Sequence, residues 1–116
     1  AEHCWFVIRR DGRCDRWEVW QDPDFGGESW GHLHRNLMSP TAGIRRNPAY
    51  FLRHWCGEAG IDLARRIEAA PDRYPWCRTY HYVPGPNSNT FAQWCLQDRH
   101  RLGWRSIGRG YVKRIK

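Results

Sequence analysis

Pro84-Gly85-Pro86-Asn87-Ser88-Asn89-Thr90-Phe91-Ala92-Gln93-Trp94-Cys95 is the stretch on which the reading of this chain turns. The two prolines exclude helix before them, and Gly85 frees the backbone for a sharp turn. Asn87 is a good N-cap, so the pattern predicts a helix opening at Ser88 with Phe91, Trp94 and Cys95 on one apolar face. The first turn of a helix presents unpaired N–H groups and the positive end of the dipole. A nucleophile placed there is well served, because the oxyanion its reaction produces meets ready donors. Ser88 is the residue so placed, and the backbone around Asn87 and Asn89 is the expected turn and oxyanion site. The plainer alternative is a capped helix after a Pro-rich loop, with no chemistry attached.

Upstream, His3-Cys4-Trp5-Phe6-Val7-Ile8-Arg9 is aromatic and branched and predicts a strand. Asp11-Gly12 is a hairpin signal, and Cys14 to Trp20 returns as a second strand with Trp17, Val19 and Cys14 set against charged residues. Gln21 to Ser29 is a loop, and Trp30 to Leu37 is expected to be a short third strand carrying His32 and His34. Ser39 to Asn47 is irregular. Pro48, capped by Asn47, suits the first position of a helix running through Tyr50, Phe51, Leu52 and Trp55 to Gly57. Glu58 to Ala70 follows as a second helical segment, with Ile61, Leu63, Ala64 and Ile67 spaced for one buried face, and Pro71 and Pro75 end it. Cys77 to Val83 alternates as a strand. Gly103 to Lys116 reads as a loop with a closing strand. A hairpin, helices and a strand–turn–helix make an α+β domain.

At 116 residues the chain fits one domain, since domains typically hold roughly 100–150 residues. Eight Trp, five Tyr and four Phe predict an aromatic-rich core. No apolar run approaches the ~20 residues of a membrane-spanning helix. A chain that opens at Ala1 with no initiator Met and no signal peptide suggests an excised or processed domain, such as a delivered toxin-like module. The net charge of +7, carried by seventeen Arg and two Lys, favours anionic partners: nucleic acid, anionic lipid or an acidic inhibitor protein. The basic residues are scattered, so the nucleic-acid footprint is weak, and only Arg105 to Lys116 is locally basic with aromatics. Cys4, Cys14, Cys56, Cys77 and Cys95 include no C-x-x-C pair, which argues against structural zinc. One Cys4–Cys14 bridge across the hairpin is compatible with the spacing.

A serine nucleophile needs a base, and the base needs an orienting group. His3, at the end of the first strand, is the candidate base, and Asp15, Glu18, His32 or His34 are available to orient it. His32 and His34 are spaced as a metal pair on one strand face but have no evident third ligand, so neither a metal nor a cofactor is expected. His54 is assigned to a helix and His100 to a polar segment, both structural, and His81 is expected to pack under the loop.

Gly85-Pro86-Asn87-Ser88-Asn89-Thr90-Phe91 resembles the hallmark of a bacterial family of unknown function with a GPNSNTF signature. His3-Cys4-Trp5-Phe6-Val7-Ile8 is similar to that family's opening strand, and Ile107-Gly108-Arg109-Gly110-Tyr111 to its ending. The layout also resembles the permuted branch of the NlpC-type, papain-like superfamily, whose lecithin:retinol acyltransferase-like members place a His-Trp strand first and a nucleophile helix later. That resemblance implies a permuted papain-like α+β fold, with His3 in the place of the catalytic His and Ser88 in the place of the nucleophilic Cys. Ser88 is then a true nucleophile, the relic of a dead site kept for binding, or a replacement that silences the protein. Glu18 and His32 are the two candidates for the third residue. The activity implied is a hydrolase or acyltransferase acting on an amide or ester of peptidoglycan, lipid or protein. The rival class is a non-catalytic binding module or a basic toxin acting on nucleic acid.

Overall fold

A computed structural model describes residues 2–114. The elements run β1 (Phe6–Arg10), β2 (Arg13–Val19), β3 (Glu28–Trp30), β4 (Leu33–Arg35), α1 (Gly57–Glu68), α2 (Ala70–Arg73) and α3 (Ser88–Leu96), with 3-10 turns at Gln97–Arg99 and Arg109–Arg114. The class is α+β, with one antiparallel sheet in the order β1-β2-β4-β3. Asp11 and Gly12 make the first hairpin by adopting φ values of 52° and 75°, the left-handed pair that matches strand twist. The hairpin sets Phe6 opposite Trp17 and Arg10 opposite Arg13.

The core lies between the sheet and α3, where Trp17, Val19 and Leu33 meet Phe91, Trp94 and Leu96, with Leu63 and Ile67 of α1 closing the other side. Tyr74 turns its ring edge-on to both Phe91 and Trp94. All nine residues of α3 are buried, so it is a central helix and not the one-faced helix that the spacing of Phe91, Trp94 and Cys95 suggests. Burial of Phe91 alone contributes about 1.5–3 kcal/mol. Only Leu63, Ala64 and Ile67 of α1 are buried; Ile61 faces solvent.

Several elements differ from expectation, each for a local reason. Residues 48–56 form no helix: the Asn47 N–H and carbonyl are both paired with Ile44, so the carbonyl of the expected cap is already engaged. Tyr50, Phe51, Leu52 and His54 are consequently exposed on an extended segment. The third strand is two, because Gly31 and His32 turn the chain between β3 and β4. His32 therefore sits in a turn, not on a strand face with His34. Residues 77–83 are bends and turns, held by the His81 N–H donating to the Pro86 carbonyl and by the Tyr82 carbonyl accepting from Asn87. His81 is exposed rather than packed under the loop. Pro71 does not end a helix but lies inside α2, after α1 has stopped. The expected closing strand is the 3-10 turn Arg109–Arg114; Ile115 and Lys116 lie outside the described residues. The strand that opens the chain begins at Phe6, leaving His3 on the segment that leads into it. All five cysteines are free, so Cys4 and Cys14 are not bridged.

Candidate functional site

The first turn of α3 is built by the side chains of the Asn87–Phe91 motif, each with a task. Asn87, 1 % exposed, accepts the backbone N–H groups of Asn89 and Thr90 on Oδ1 and donates Nδ2–H to the carbonyls of Tyr82 and Ile107. Thr90 completes a capping box by accepting the Asn87 N–H, and its hydroxyl donates to the Gly108 carbonyl at 2.7 Å. Gly108 has φ +96°, and a Cβ there would meet the Asn87 amide at 2.3–2.6 Å, so the chain's ending and the cap are fitted to one another.

Asn89 reaches the other way. Its Oδ1 accepts the Cys4 N–H at 3.1 Å and its Nδ2 donates to the Glu2 carbonyl at 2.6 Å, so one amide clasps the backbone on both sides of His3. A second Nδ2 bond runs to the Ile107 carbonyl. His3 is thereby tied to the first turn of α3, although the two are far apart in sequence.

The His3 ring is held from behind. Its Nε2 lies 2.8 Å from Glu18 Oε2, and its flanks meet Trp5 and the edge of Trp20 at centroid distances of 5.7 and 5.4 Å. Glu18 and Arg16 are both fully buried and ion-paired, with Nε to Oε1 at 2.8 Å and a hydrogen bond from Nη2 to Oε2 at 2.9 Å. Arg16 also donates to the carbonyls of Ser39 and Ala42 and lies 4.0 Å over the Trp5 ring, whose Nε1–H donates to the Pro40 carbonyl. Burial pushes the Glu18 carboxyl up, but its hydrogen bonds to His3 and Arg16 outweigh that, and the net position is below the usual carboxylate range. An ionised Glu18 accepts only, so the hydrogen bond needs a proton on His3 Nε2, and in the neutral tautomer that fits it the lone pair is on Nδ1. Nδ1 makes no hydrogen bond among the described residues.

Ser88 stands apart from this bonding. It is 7 % exposed, and among the described residues neither its hydroxyl nor its backbone N–H has a hydrogen-bond partner. No hydrogen bond joins it to His3. The Asn89 N–H, expected to face an oxyanion, is instead occupied by the Asn87 side chain, so Asn87 is a cap and Asn89 a clasp. The Ser88 N–H is the donor left open.

Of the two candidates to orient His3, Glu18 contacts it and His32 does not. The His32 Nδ1 bonds the Trp20 carbonyl and its ring stacks on Tyr80. His34 is buried between the Ser29 hydroxyl and the Asp22 carbonyl, and burial pushes it below the usual imidazole range. Asp15 bonds Asn36 and pairs with Arg13. Among the described residues no group of three or more His, Cys, Asp or Glu is arranged to hold a metal ion. Sequence reasoning missed Arg16 and the clasp of Asn89. Arg16 and Glu18 alternate with Trp17 and Val19, which reads as a solvated face; the cover over that face comes from residues 39–42, a segment without periodicity.

A protein-family model described as a protein of unknown function, DUF3750, matches residues 1–111. The chain belongs to the DUF3750 family. No curated protein and no solved structure matches it. The match to this DUF3750 chain includes both the His3 segment and the turn around Gly108 that packs on Asn87. Among the described residues no helix is long and apolar enough to cross a membrane.

Proposed function

We propose that this DUF3750 protein is a hydrolase or acyltransferase acting on an amide or ester through Ser88 and His3. The observation that carries the reading is the Asn89 clasp, which ties the backbone of His3 to the turn that bears the unpartnered Ser88 hydroxyl. In this reading His3 Nδ1 removes the hydroxyl proton as Ser88 attacks the carbonyl carbon, then returns it to the departing amine or alcohol. Glu18 accepts from Nε2–H, fixes the tautomer and stabilises the imidazolium that forms. Arg16 keeps Glu18 ionised. The Ser88 N–H, at the positive end of α3, faces the developing oxyanion. The Ser88–His3 hydrogen bond forms on substrate binding, since such bonds are often long or absent without substrate.

A permuted papain-like arrangement belongs to the same proposal, supported by the order of the parts: His3 segment, antiparallel sheet, late helix with the nucleophile at its start. Peptidoglycan-type amides, acyl lipids and protein side-chain amides are the substrate classes to screen. A delivered bacterial effector, restrained by an acidic inhibitor protein, is the setting in which a small basic hydrolase of this kind fits.

Covalent labelling by a serine-reactive fluorophosphonate, read by intact mass, tests the reading on the wild type, Ser88→Ala and His3→Ala. The expected result is one adduct that maps to Ser88 and is lost in both variants while circular dichroism stays native. An adduct that survives Ser88→Ala overturns it in favour of another nucleophile, and no adduct on the folded wild type overturns it and leaves a binding module.

A further inference from the structure

The acidic residues are segregated along this chain. No Asp or Glu occurs between Glu28 and Glu58, and none after Asp98. The fold brings two pieces of these acid-free stretches together. Residues 50–55 and 99–105 run side by side in opposite directions, joined at one end because Tyr50 donates to the Glu2 carboxylate while the Glu2 N–H donates to the Arg105 carbonyl. At the other end Arg53 Nη1 lies 3.3 Å from both the Arg99 carbonyl and His100 Nδ1. An apolar cleft of about 60 Å³ lies between them, lined by Leu52, Trp55 and Leu102 and floored by Trp5 and Ala92.

This face leaves unusual side chains in water. Phe51 is 76 % and Trp104 77 % exposed, and Tyr50 and Leu52 extend the apolar run on either side of Phe51. Single exposed apolar residues are ordinary, but a run of three on one segment, next to a segment that carries the exposed Trp104, marks an interaction surface. The cations around it are Arg53, Arg101 and Arg105, all exposed. Exposed guanidinium groups on the same two segments as exposed apolar side chains suit a layer whose outside is anionic and whose inside is hydrocarbon.

We propose that residues 50–55 and 99–105 form a docking face for an anionic membrane surface. Phe51, Leu52 and Trp104 enter the boundary between headgroups and acyl chains, where Trp is at home, and the arginines meet the phosphates. A single-stranded nucleic acid also uses arginine and aromatic rings, but it gains nothing from the aliphatic Leu52. The inference goes beyond the reading of Ser88 and stands or falls independently of it, since none of these side chains is assigned a role in that chemistry.

Co-sedimentation with phosphatidylcholine vesicles, with and without phosphatidylglycerol, tests the proposal at low and at high salt. The wild type should sediment with the anionic vesicles only and be released by salt. Phe51→Ser with Trp104→Ser should weaken binding by about tenfold or more. Arg101→Glu with Arg105→Glu should weaken it by at least roughly fivefold per arginine at low salt. Both double variants change solvent-exposed side chains, and an unchanged melting temperature shows that they are folded. Equal binding to neutral vesicles, no binding to anionic ones, or full binding by both folded double variants overturns the proposal. Release of the protein from anionic vesicles by a single-stranded oligonucleotide, in direct competition at matched anionic charge, overturns it in favour of nucleic acid.

Discussion

Asn47 and Asn87 each stand at the head of an apolar segment, and the molecule uses them in opposite ways. Asn87 is buried and spends its whole amide, accepting two N–H groups of its own helix and donating to the carbonyls of Tyr82 in the loop before it and Ile107 near the chain's ending. Asn47 is exposed, and its backbone closes a tight bridge with Ile44. A helix follows the first and an extended segment the second. The difference teaches that a capping residue makes a helix only where the residues after it have something to pack on. Phe91, Ala92 and Cys95 meet the sheet and α1, whereas Tyr50, Phe51 and Leu52 follow one another without helical spacing and stay in solvent. Tertiary burial outweighs local propensity.

The same contrast places the stability of the domain at the start of α3 and in the buried pair behind it. Glu18→Gln strips Arg16 of its counter-charge in a dry site and should cost about 3–5 kcal/mol in urea unfolding. The pH dependence has a definite sign. Because the folded carboxyl of Glu18 is held below its usual range, its contribution is complete above that range and is lost as pH falls through the lowered value. Wild-type melting temperature should therefore drop on acidification, and the Glu18→Gln curve should be flatter in the same window. An unchanged acid limb would remove Glu18 from the account.

Asn87→Ala comes next. It deletes the cap and leaves the Tyr82 carbonyl, together with the Asn89 and Thr90 N–H groups, to find other partners, while the Ile107 carbonyl keeps its bond from Asn89, for a loss of about 2–4 kcal/mol. Asn47→Ala should change stability by less than about 0.5 kcal/mol, as exposed substitutions do. Equal costs at Asn47 and Asn87 in the same denaturation series would break the comparison.

The local structure around the candidate site was legible because its signals are local. The Asp11-Gly12 turn, the two opening strands and the Asn87 cap follow from backbone chemistry confined to a few residues. His3, Glu18 and Ser88 were each picked out by residue type and place. Which side chain holds His3 was not legible: Glu18 on β2 contacts it, whereas the turn that splits the expected third strand carries His32 to Tyr80. The expected strand at residues 77–83 does not form because, among the described residues, it meets the sheet at one point only, where the Cys77 carbonyl accepts from the His32 N–H; His81 and Tyr82 bond Pro86 and Asn87 instead.

By itself the sequence determined an α+β domain with an opening hairpin, a Ser88-first helix and an excess of arginine, since periodicity, turn chemistry and charge are properties of short stretches. The tertiary structure alone decided that Asn89 clasps the segment around His3, that Arg16 and Glu18 are buried, and that residues 50–55 lie open beside 99–105. Each of these depends on contacts between segments far apart in the chain, and burial is set by what the rest of the fold leaves uncovered.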